Sequence, residues 1–161
     1  MEVFEENEEW LARRITNEDF GCGYKEVLSD LTVAGNLTVE LCESILSKQN
    51  SSQVEYNTIV IKDKVSGDIL GNGVLVVSPD IFHNGDRVGY IEDIVVLKRM
   101  QGKGLGYKII QILKKLAVSR GCYKVSLDCS ESNEGFYNKC GLTRVSLECD
   151  KRFILGANIS K

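Results

Sequence analysis

A short glycine-rich run, Gln101-Gly102-Lys103-Gly104-Leu105-Gly106, follows a predicted strand and opens a predicted helix. Glycines let the backbone come close to a ligand, and the amide N–H groups at a helix start point outward at the positive end of the helix dipole. A diphosphate is the natural ligand of such a turn. The alternative is a tight strand-to-helix turn without a ligand, which one glycine motif does not exclude.

Two better-known phosphate loops do not fit this run. A P-loop needs Gly-Lys followed by Ser or Thr, whereas Gly102-Lys103 is followed by Gly104. The segment is also too short for the G-x-G-x-x-G motif, and no βαβ unit of the dinucleotide-binding kind surrounds it. The run therefore indicates a different anion-binding turn.

Two acidic residues, Glu92 and Asp93, interrupt the predicted central strand Val88–Leu97, which is otherwise apolar on both faces. Charges inside an apolar strand cost free energy unless something binds them. Neighbouring residues on a regular strand point to opposite faces, so both carboxylates can serve one site only if the strand bulges or splays there. A buried ion pair with an Arg or Lys elsewhere is the alternative, and the pairing of two carboxylates favours a ligand site.

The elements that must position these residues follow the order β-α-α-β-β-β-α-β-α-β. This pattern predicts an α+β fold, with a mixed central sheet flanked by helices, as one domain over residues 1–161 with residues 1–9 frayed. The predicted helices start at Asn17 or Asp19, at Thr38, in the glycine-rich run, and at Ser132 or Asn133. The predicted strands cover residues 11–15, 57–62, 69–77, 88–97, 123–129 and 142–148.

Composition narrows the class of function. The 161-residue chain has a net charge of -3 and no block of Lys or Arg, which argues against binding to nucleic acid or to an anionic membrane. No apolar run approaches the roughly 18 residues of a membrane span, and the amino terminus is acidic where a targeting peptide would be basic. The six cysteines form no C-x-x-C pair, and His83 is the single histidine. We therefore expect no metal site, and reduced, mostly buried thiols in a cytoplasmic protein.

The glycine-rich run resembles the acetyl-CoA pyrophosphate loop of the GNAT superfamily, [QR]-x-x-G-x-[GA], in its required place between a strand and a helix. Within that superfamily, four further stretches in the right order resemble the glucosamine-6-phosphate N-acetyltransferase family. The resemblance extends from about Leu11 to Phe153. The four stretches are residues 31–35 (LTVAG), 89–96 (GYIEDIVV), 121–129 (GCYKVSLDC) and 133–141 (NEGFYNKCG).

The resemblance implies acetyl-CoA as the acetyl donor. In this fold the central strand splays from its neighbour, and the pantetheine arm hydrogen-bonds to the strand backbone in the cleft that opens. The residues implied to bind the cofactor are Ile94, Val95, Val96, Gln101, Gly102, Lys103, Gly104, Leu105, Gly106, Asn133, Tyr137 and Lys139.

Acetyl transfer needs a neutral amine, a polarised thioester and a proton for the departing thiolate. By resemblance, Asp128 orients or deprotonates the amine, alone or through water with Glu92. Tyr137, one helical turn after Asn133, has a phenol that can protonate the thiolate. The alternatives are a strand-end carboxylate for Asp128 and a core aromatic for Tyr137.

The implied acceptor is D-glucosamine 6-phosphate, acetylated directly in a ternary complex on the route to UDP-N-acetylglucosamine. In relatives the phosphate-binding Arg reaches across a homodimer in which the last strand is exchanged or intertwined. The implied substrate-binding residues are Thr32, Phe82, His83, Glu92, Asp93, Ile94, Tyr123, Asp128 and Arg152.

Two other functions stay open. A related acetyltransferase could act on another small amine, such as a polyamine or an amino-acid derivative, and Asp80, Glu92 and Asp93 could then supply an acidic pocket for a basic substrate. A non-catalytic acyl-CoA-binding module would tolerate the loss of Asp128 and Tyr137, and this chain has both residues.

Overall fold

The computed structural model describes residues 2–79, 85–147 and 149. The chain divides into two compact units, Met1–Leu127 and Asp128–Lys161, and each is described by itself. That the whole chain forms one domain stays a prediction.

The first unit contains a six-stranded sheet whose strands lie in chain order, β1 to β6. Each strand pairs antiparallel with the next, except that β5 and β6 run parallel. The sheet is therefore mixed, as the sequence predicts. The strands are β1 Val3–Glu6, β2 Trp10–Arg14, β3 Glu55–Asp63, β4 Ile69–Pro79, β5 Arg87–Val96 and β6 Cys122–Ser126.

The prediction that residues 1–9 are frayed is wrong for Val3–Glu6, because these residues form the edge strand β1. Two of its acidic side chains have basic partners: Glu5 pairs with Lys108 and Glu6 with Lys64. The acidic residues that favoured the prediction of fraying thus pair with lysines that lie far away in the sequence.

The first predicted helix is divided into two pieces. A 3-10 helix, Asn17–Gly21, is followed by helix α1, Tyr24–Ser29, and Gly23 between them has a φ of 79°. Thr16, rather than Asn17 or Asp19, is the N-cap residue, and the Asp19 carboxylate accepts a hydrogen bond from the Thr16 N–H at 2.8 Å. The left-handed turn redirects the chain before α1 starts.

Helices α2 (Val39–Asn50) and α3 (Leu105–Ser119) form where the sequence predicts them. The Thr38 hydroxyl caps α2 by accepting the Leu41 N–H at 3.2 Å. Helix α3 packs its apolar face on β4 and β5, and it lies so close to β4 that a Cβ on Gly73 would sit 2.5 Å from the Ile109 side chain. This close contact fixes the start of α3 relative to the middle of the sheet.

The second unit contains helix α4, Glu131–Lys139, whose N-cap is Ser130 rather than the predicted Ser132 or Asn133. The predicted last strand is not observed, since residues 142–147 form no strand and Glu148 lies outside the described residues. Its alternating apolar side chains are exposed to solvent: Val145 is 88% and Leu147 is 79% exposed. A strand needs a partner for its backbone groups, and the described part of the chain pairs none with this segment.

All six cysteines are free thiols, but the expectation that most are buried is wrong. Cys140 is buried, three others are partly exposed, and Cys129 and Cys149 are exposed. Among the described residues, no helix is long and apolar enough to cross a membrane, and no group of three or more His, Cys, Asp or Glu side chains is placed to hold a metal ion.

Candidate active site

Strand β5 bulges at Asp93. Its register against β4 shifts, because Val95 is opposite Asn72 whereas Glu92 is opposite Val74. Two β5 residues, Asp93 and Ile94, therefore oppose the single residue Gly73. Such a bulge re-aims the side chains beside it, so neighbouring residues need not point to opposite faces. The predicted distortion of this strand is thus confirmed at the two carboxylates.

Asp93 is the only non-glycine residue with a positive φ, 52°, among the residues that the structure describes. The left-handed conformation costs an ordinary residue about 1–2 kcal/mol, and Asp tolerates it better than most. Both Glu92 and Asp93 are exposed to solvent. Desolvation by the protein around its carboxyl nevertheless raises the pKa of Asp93 above the usual value. A strained acidic residue with a perturbed pKa is typical of a functional site.

One edge of β5 has no described partner strand beyond Tyr90. Parallel pairing with β6 runs from Arg87 to Tyr90 and stops at the contact between Tyr90 and Ser126. Residues Ile91–Val96 continue the strand with β4 on one side, and no described strand pairs with their other side. The pairing of β5 with β6 thus ends before the two carboxylates, because β6 itself ends at Ser126. An extended ligand such as pantetheine could pair with the backbone of Ile94, Val95 and Val96 along this edge, and the splay of the strands stays a prediction.

The glycine-rich run follows β5 after a short 3-10 helix, Lys98–Met100, and leads into α3. Gly104 is the N-cap residue of α3 with φ 80° and ψ 0°, and Gly102 has φ 78°. A Cβ added to either glycine would meet nothing within 4 Å, so open space lies over the loop. No side chain caps α3, and its first turn has no acidic residue. The first amide groups of a helix lack intrahelical partners, so they remain available to an anion.

Three side chains of the run take different positions. The Gln101 amide donates a hydrogen bond to the Val96 carbonyl at 3.2 Å and so fastens the loop to the end of β5. Lys103 is exposed, with Nζ 3.6 Å from the Met100 sulfur, and it can swing toward a phosphate. Leu105 is buried at 4% exposure and can contact a ligand only through its backbone. These features fit the diphosphate of acetyl-CoA in charge and in space.

Thr32 lies in the loop that follows α1. Residues 29–35 line an open concavity of about 520 Å³, and Thr32 is exposed there. The Asp30 carboxylate accepts the Lys98 N–H at 2.8 Å, and Lys98 Nζ lies 3.4 Å from the same carboxylate. This contact joins the Thr32 loop to the end of β5, next to the glycine-rich run.

Tyr123 lies on β6 in the first unit. The β5–β6 register shifts there, because Arg87 is opposite Cys122 and Val88 is opposite Lys124, which leaves Tyr123 as the extra residue. Its ring is 41% exposed and lies 5.5 Å from Lys124 Nζ. Tyr123 thus lies at the exposed surface of the first unit.

The second unit holds the remaining described residues of the predicted site. Asp128 is exposed and lies beyond the end of β6, so its predicted position within a strand is wrong. On α4, Asn133 and Tyr137 are four residues apart and share a helix face, while Lys139 is the last helical residue. The Tyr137 ring packs edge-on against Phe136 at 5.0 Å. Burial, followed by Cys129 and Cys140 nearby, raises the pKa of Tyr137, which keeps the phenol protonated at neutral pH.

Three predicted substrate residues, Phe82, His83 and Arg152, lie outside the described residues. Two residues that the sequence analysis did not single out support the bulge of β5. Asn72 on β4 is fully buried and donates a hydrogen bond to the Asp93 carbonyl at 3.0 Å. Tyr24 on α1 donates to the Asn72 side chain at 3.2 Å. A polar residue between glycines in an otherwise apolar strand is the signal that could have singled out Asn72.

Comparison with known proteins agrees with this geometry. Residues 25–142 match the model of the Acetyltransferase (GNAT) family. The chain is 36% identical over 141 residues to the glucosamine 6-phosphate N-acetyltransferase of Arabidopsis thaliana, a match that covers 88% of this chain and 95% of the relative. It is 38% identical to the enzyme of the same name from Candida albicans, over 88% of this chain and 94% of the relative.

A solved structure shows the same similarity in three dimensions. The crystal structure of glucosamine-6-phosphate N-acetyltransferase from Arabidopsis thaliana superposes with a TM-score of 0.86 at 35% identity, covering 89% of this chain and 98% of the other. The glycine-rich run, the bulged β5 and these matches lead to one conclusion: the chain belongs to the GNAT family of acetyltransferases.

Proposed function

We propose that this protein transfers an acetyl group from acetyl-CoA to the amine of D-glucosamine 6-phosphate, giving N-acetylglucosamine 6-phosphate and CoA. Relatives from a plant and a yeast carry this activity in their names and match nearly their whole length. The observation that supports the proposal is the β5 bulge: two carboxylates lie at it, next to a strand edge with which no described strand pairs, and an open glycine-rich turn follows shortly after in the chain. The product would enter UDP-N-acetylglucosamine synthesis.

The chemistry is a direct transfer in a ternary complex. The diphosphate of acetyl-CoA would bind the amides of the glycine-rich run, and its pantetheine arm the edge of Ile94, Val95 and Val96. Bound acetyl-CoA supplies an activated thioester. Asn133 and Lys139 would complete the cofactor contacts.

Three side chains would move the protons. Glu92 and Asp128 hold the acceptor amine and take up its proton, directly or through water, so that nitrogen attacks the thioester carbon as a neutral amine. As the carbon–sulfur bond breaks, Tyr137 gives its proton to the departing thiolate. The nitrogen of the new amide loses its remaining extra proton to water, and water returns a proton to Tyr137. Because burial raises the pKa of Tyr137, its proton is in place at neutral pH.

Substrate recognition would divide between the amine and the phosphate. Glu92, Asp93, Ile94 and Tyr123 would contact the sugar, while Phe82 would line its site. The phosphate would be bound by donors from Thr32, His83 and Arg152. A site built to pair with a phosphate leaves its donors unpaired when the phosphate is missing, so plain glucosamine should be a much poorer substrate.

The experiment is an acetyl-CoA consumption assay with glucosamine 6-phosphate, glucosamine, a polyamine and an amino-acid amine. We expect kcat/KM for glucosamine 6-phosphate to exceed that for glucosamine by about 10²-fold or more. Arg152→Ala should erase most of this ratio and change glucosamine turnover little. Arg144→Ala is the matched control, because Arg144 pairs with Glu131 and Glu134 at 3.8 Å and has no assigned ligand. Equal kcat/KM for the two sugars would contradict the substrate assignment.

We also propose that the protein is a cytoplasmic homodimer in which Arg152 serves the partner's site. The exposed, alternating Val145 and Leu147 support this, since they resemble a strand without a partner. Mixing Arg152→Ala with Asp128→Ala protein should then restore activity, because one hybrid site carries both intact residues. Verified subunit exchange without recovery would argue for sites made within one chain.

A further inference from the structure

The buried amide of Asn72 joins helix α1 to the bulge of β5. Its Nδ2 lies 3.0 Å from the Asp93 carbonyl oxygen, and its Oδ1 lies 3.2 Å from the Tyr24 hydroxyl. A carbonyl oxygen can only accept, so the nitrogen of Asn72 must face Asp93. The oxygen then faces Tyr24, whose hydroxyl must donate. Each hydrogen bond in the chain from Tyr24 through Asn72 to Asp93 therefore has one possible direction.

The surroundings keep this hydrogen-bond chain in place. Asn72 is fully buried and Tyr24 is 9% exposed, so water does not compete with the contact between them, and the contact with the Asp93 carbonyl is partly buried. Burial raises the pKa of Tyr24, so its hydroxyl keeps the proton that it must donate. A polar side chain at the next position, Gly73, could not take over the role of Asn72, because a Cβ there would lie 2.5 Å from the Ile109 side chain and 2.8 Å from the Ile94 side chain.

The bulge needs such a partner. The extra residue of a bulge loses its ladder partner, and an unpaired backbone carbonyl at a partly buried position destabilises the conformation. Asp93 also holds a left-handed φ of 52°. Without the Asn72 amide, the strand could relax toward regular pairing, which would return Glu92 and Asp93 to opposite faces.

We propose that Asn72, oriented by Tyr24, is a positioning residue for acetyl transfer, because it holds the bulged backbone that presents Glu92 and Asp93 to the acceptor amine. The inference rests on the proposed function, because its test measures the kcat of acetyl transfer. It assigns no contact with substrate to Asn72 itself. The residue acts through the Asp93 carbonyl.

The sharpest test is Asn72→Asp, compared with the wild type from pH 5.5 to 9. A protonated carboxyl can donate to the Asp93 carbonyl and accept from Tyr24, whereas an ionised carboxylate cannot donate. Burial favours the protonated form, so the ratio of variant to wild-type kcat should be near one at acid pH. It should fall by about tenfold or more as the new carboxyl ionises. The Kd for acetyl-CoA should change less than about threefold in the acid range, because the glycine-rich run is untouched.

Two further variants complete the test. Asn72→Ala removes both contacts and should lower kcat at every pH. Asn57→Ala is the matched control: Asn57 is also fully buried in the sheet, but it bonds Arg14 and the Leu75 carbonyl. It should lower stability and leave the pH profile of kcat unchanged. Circular dichroism identifies variants that do not fold, and these are excluded. If Asn72→Ala is excluded, the pH dependence of kcat in the conservative Asn72→Asp protein tests the positioning role.

The possible outcomes separate this inference from the proposed function. A folded Asn72→Ala protein with wild-type kcat and KM, or an Asn72→Asp defect independent of pH, would overturn the positioning role. If wild-type protein acetylates another amine of the panel and not glucosamine 6-phosphate, the substrate proposal fails. The same Asn72 comparison then runs with that amine.

Discussion

Gly104 and Gly121 offer a controlled test of the cofactor loop, because they lie at opposite ends of helix α3. Gly104 has φ 80° and Gly121 has φ 76°, and a Cβ added to either would meet nothing within 4 Å. Replacing either by Ala therefore introduces the same left-handed strain without a clash. That strain costs about 1–2 kcal/mol, or about 2–8 °C in the melting temperature of a chain of this size.

The two variants should differ only in ligand binding. A methyl group at Gly104 enters the open space over the loop, and any relaxation of its φ turns the adjacent amides away from a diphosphate. We expect Gly104→Ala to weaken acetyl-CoA binding at least tenfold, a loss of about 1.4 kcal/mol or more. Gly121→Ala should bind within about twofold of the wild type.

Calorimetric titration with acetyl-CoA and thermal melts measure both quantities on the same samples. The expected result is that both variants lose a similar amount of melting temperature, whereas only Gly104→Ala loses affinity for acetyl-CoA. Equal acetyl-CoA affinity in the two folded variants would refute the pyrophosphate-loop assignment. Binding of CoA lacking the acetyl group should show the same pattern, because the diphosphate is common to both ligands.

Four further predictions concern other parts of the molecule. Tyr137→Phe should lower kcat by about 10²–10⁴-fold with little change in KM, and an unchanged kcat would return Tyr137 to a packing role. Asp19→Asn should lower the free energy of unfolding in urea by about 3–5 kcal/mol, because Asp19 is fully buried and Arg13, 3% exposed, would lose its carboxylate partner; a loss below about 1 kcal/mol would contradict this. Burial by itself raises the pKa of Asp19, but hydrogen bonds from Arg13 and Thr16 and the charges of Arg13 and Lys62 together lower it. The stability that the Asp19 carboxylate contributes should thus be complete above about pH 4 and be lost as pH falls through its lowered pKa. Urea unfolding of the wild type at a series of pH values below about 4 measures this loss, and a free energy of unfolding that stays constant would refute the prediction. Asp30→Ala should raise KM for the amine through the Thr32 loop, since its carboxylate accepts the Lys98 N–H at 2.8 Å; steady-state kinetics with an unchanged KM would remove that coupling.

The distortion of β5 was foreseeable from sequence, but its mechanism was not. Glu92 and Asp93 inside an apolar strand required a bulge or a splay, and the structure has the bulge. Which residue bulges, and that Asn72 holds it, depends on a contact between positions 21 apart in sequence. No local pattern encodes that contact, because it arises from the register of two strands.

The errors have a common cause. The acidic start was predicted to fray, but β1 forms because β2 offers an edge and Lys108 and Lys64 offer opposite charges. The last predicted strand has the right alternation but no partner strand among the described residues. Strand formation depends on a neighbour, whereas a helix satisfies its own backbone.

The sequence by itself therefore determined the features that lie within a few residues of one another. It determined the glycine-rich run and the start of α3, the amphipathic stripe of that helix, the Thr38 cap, and the two carboxylates in β5. Tertiary structure alone decided how β5 bulges, along which edge no described strand pairs with it, and that the Asn72 amide faces Asp93. The physical reason is that periodicity, capping and turn chemistry are local, while register and strand pairing are set by packing between distant segments.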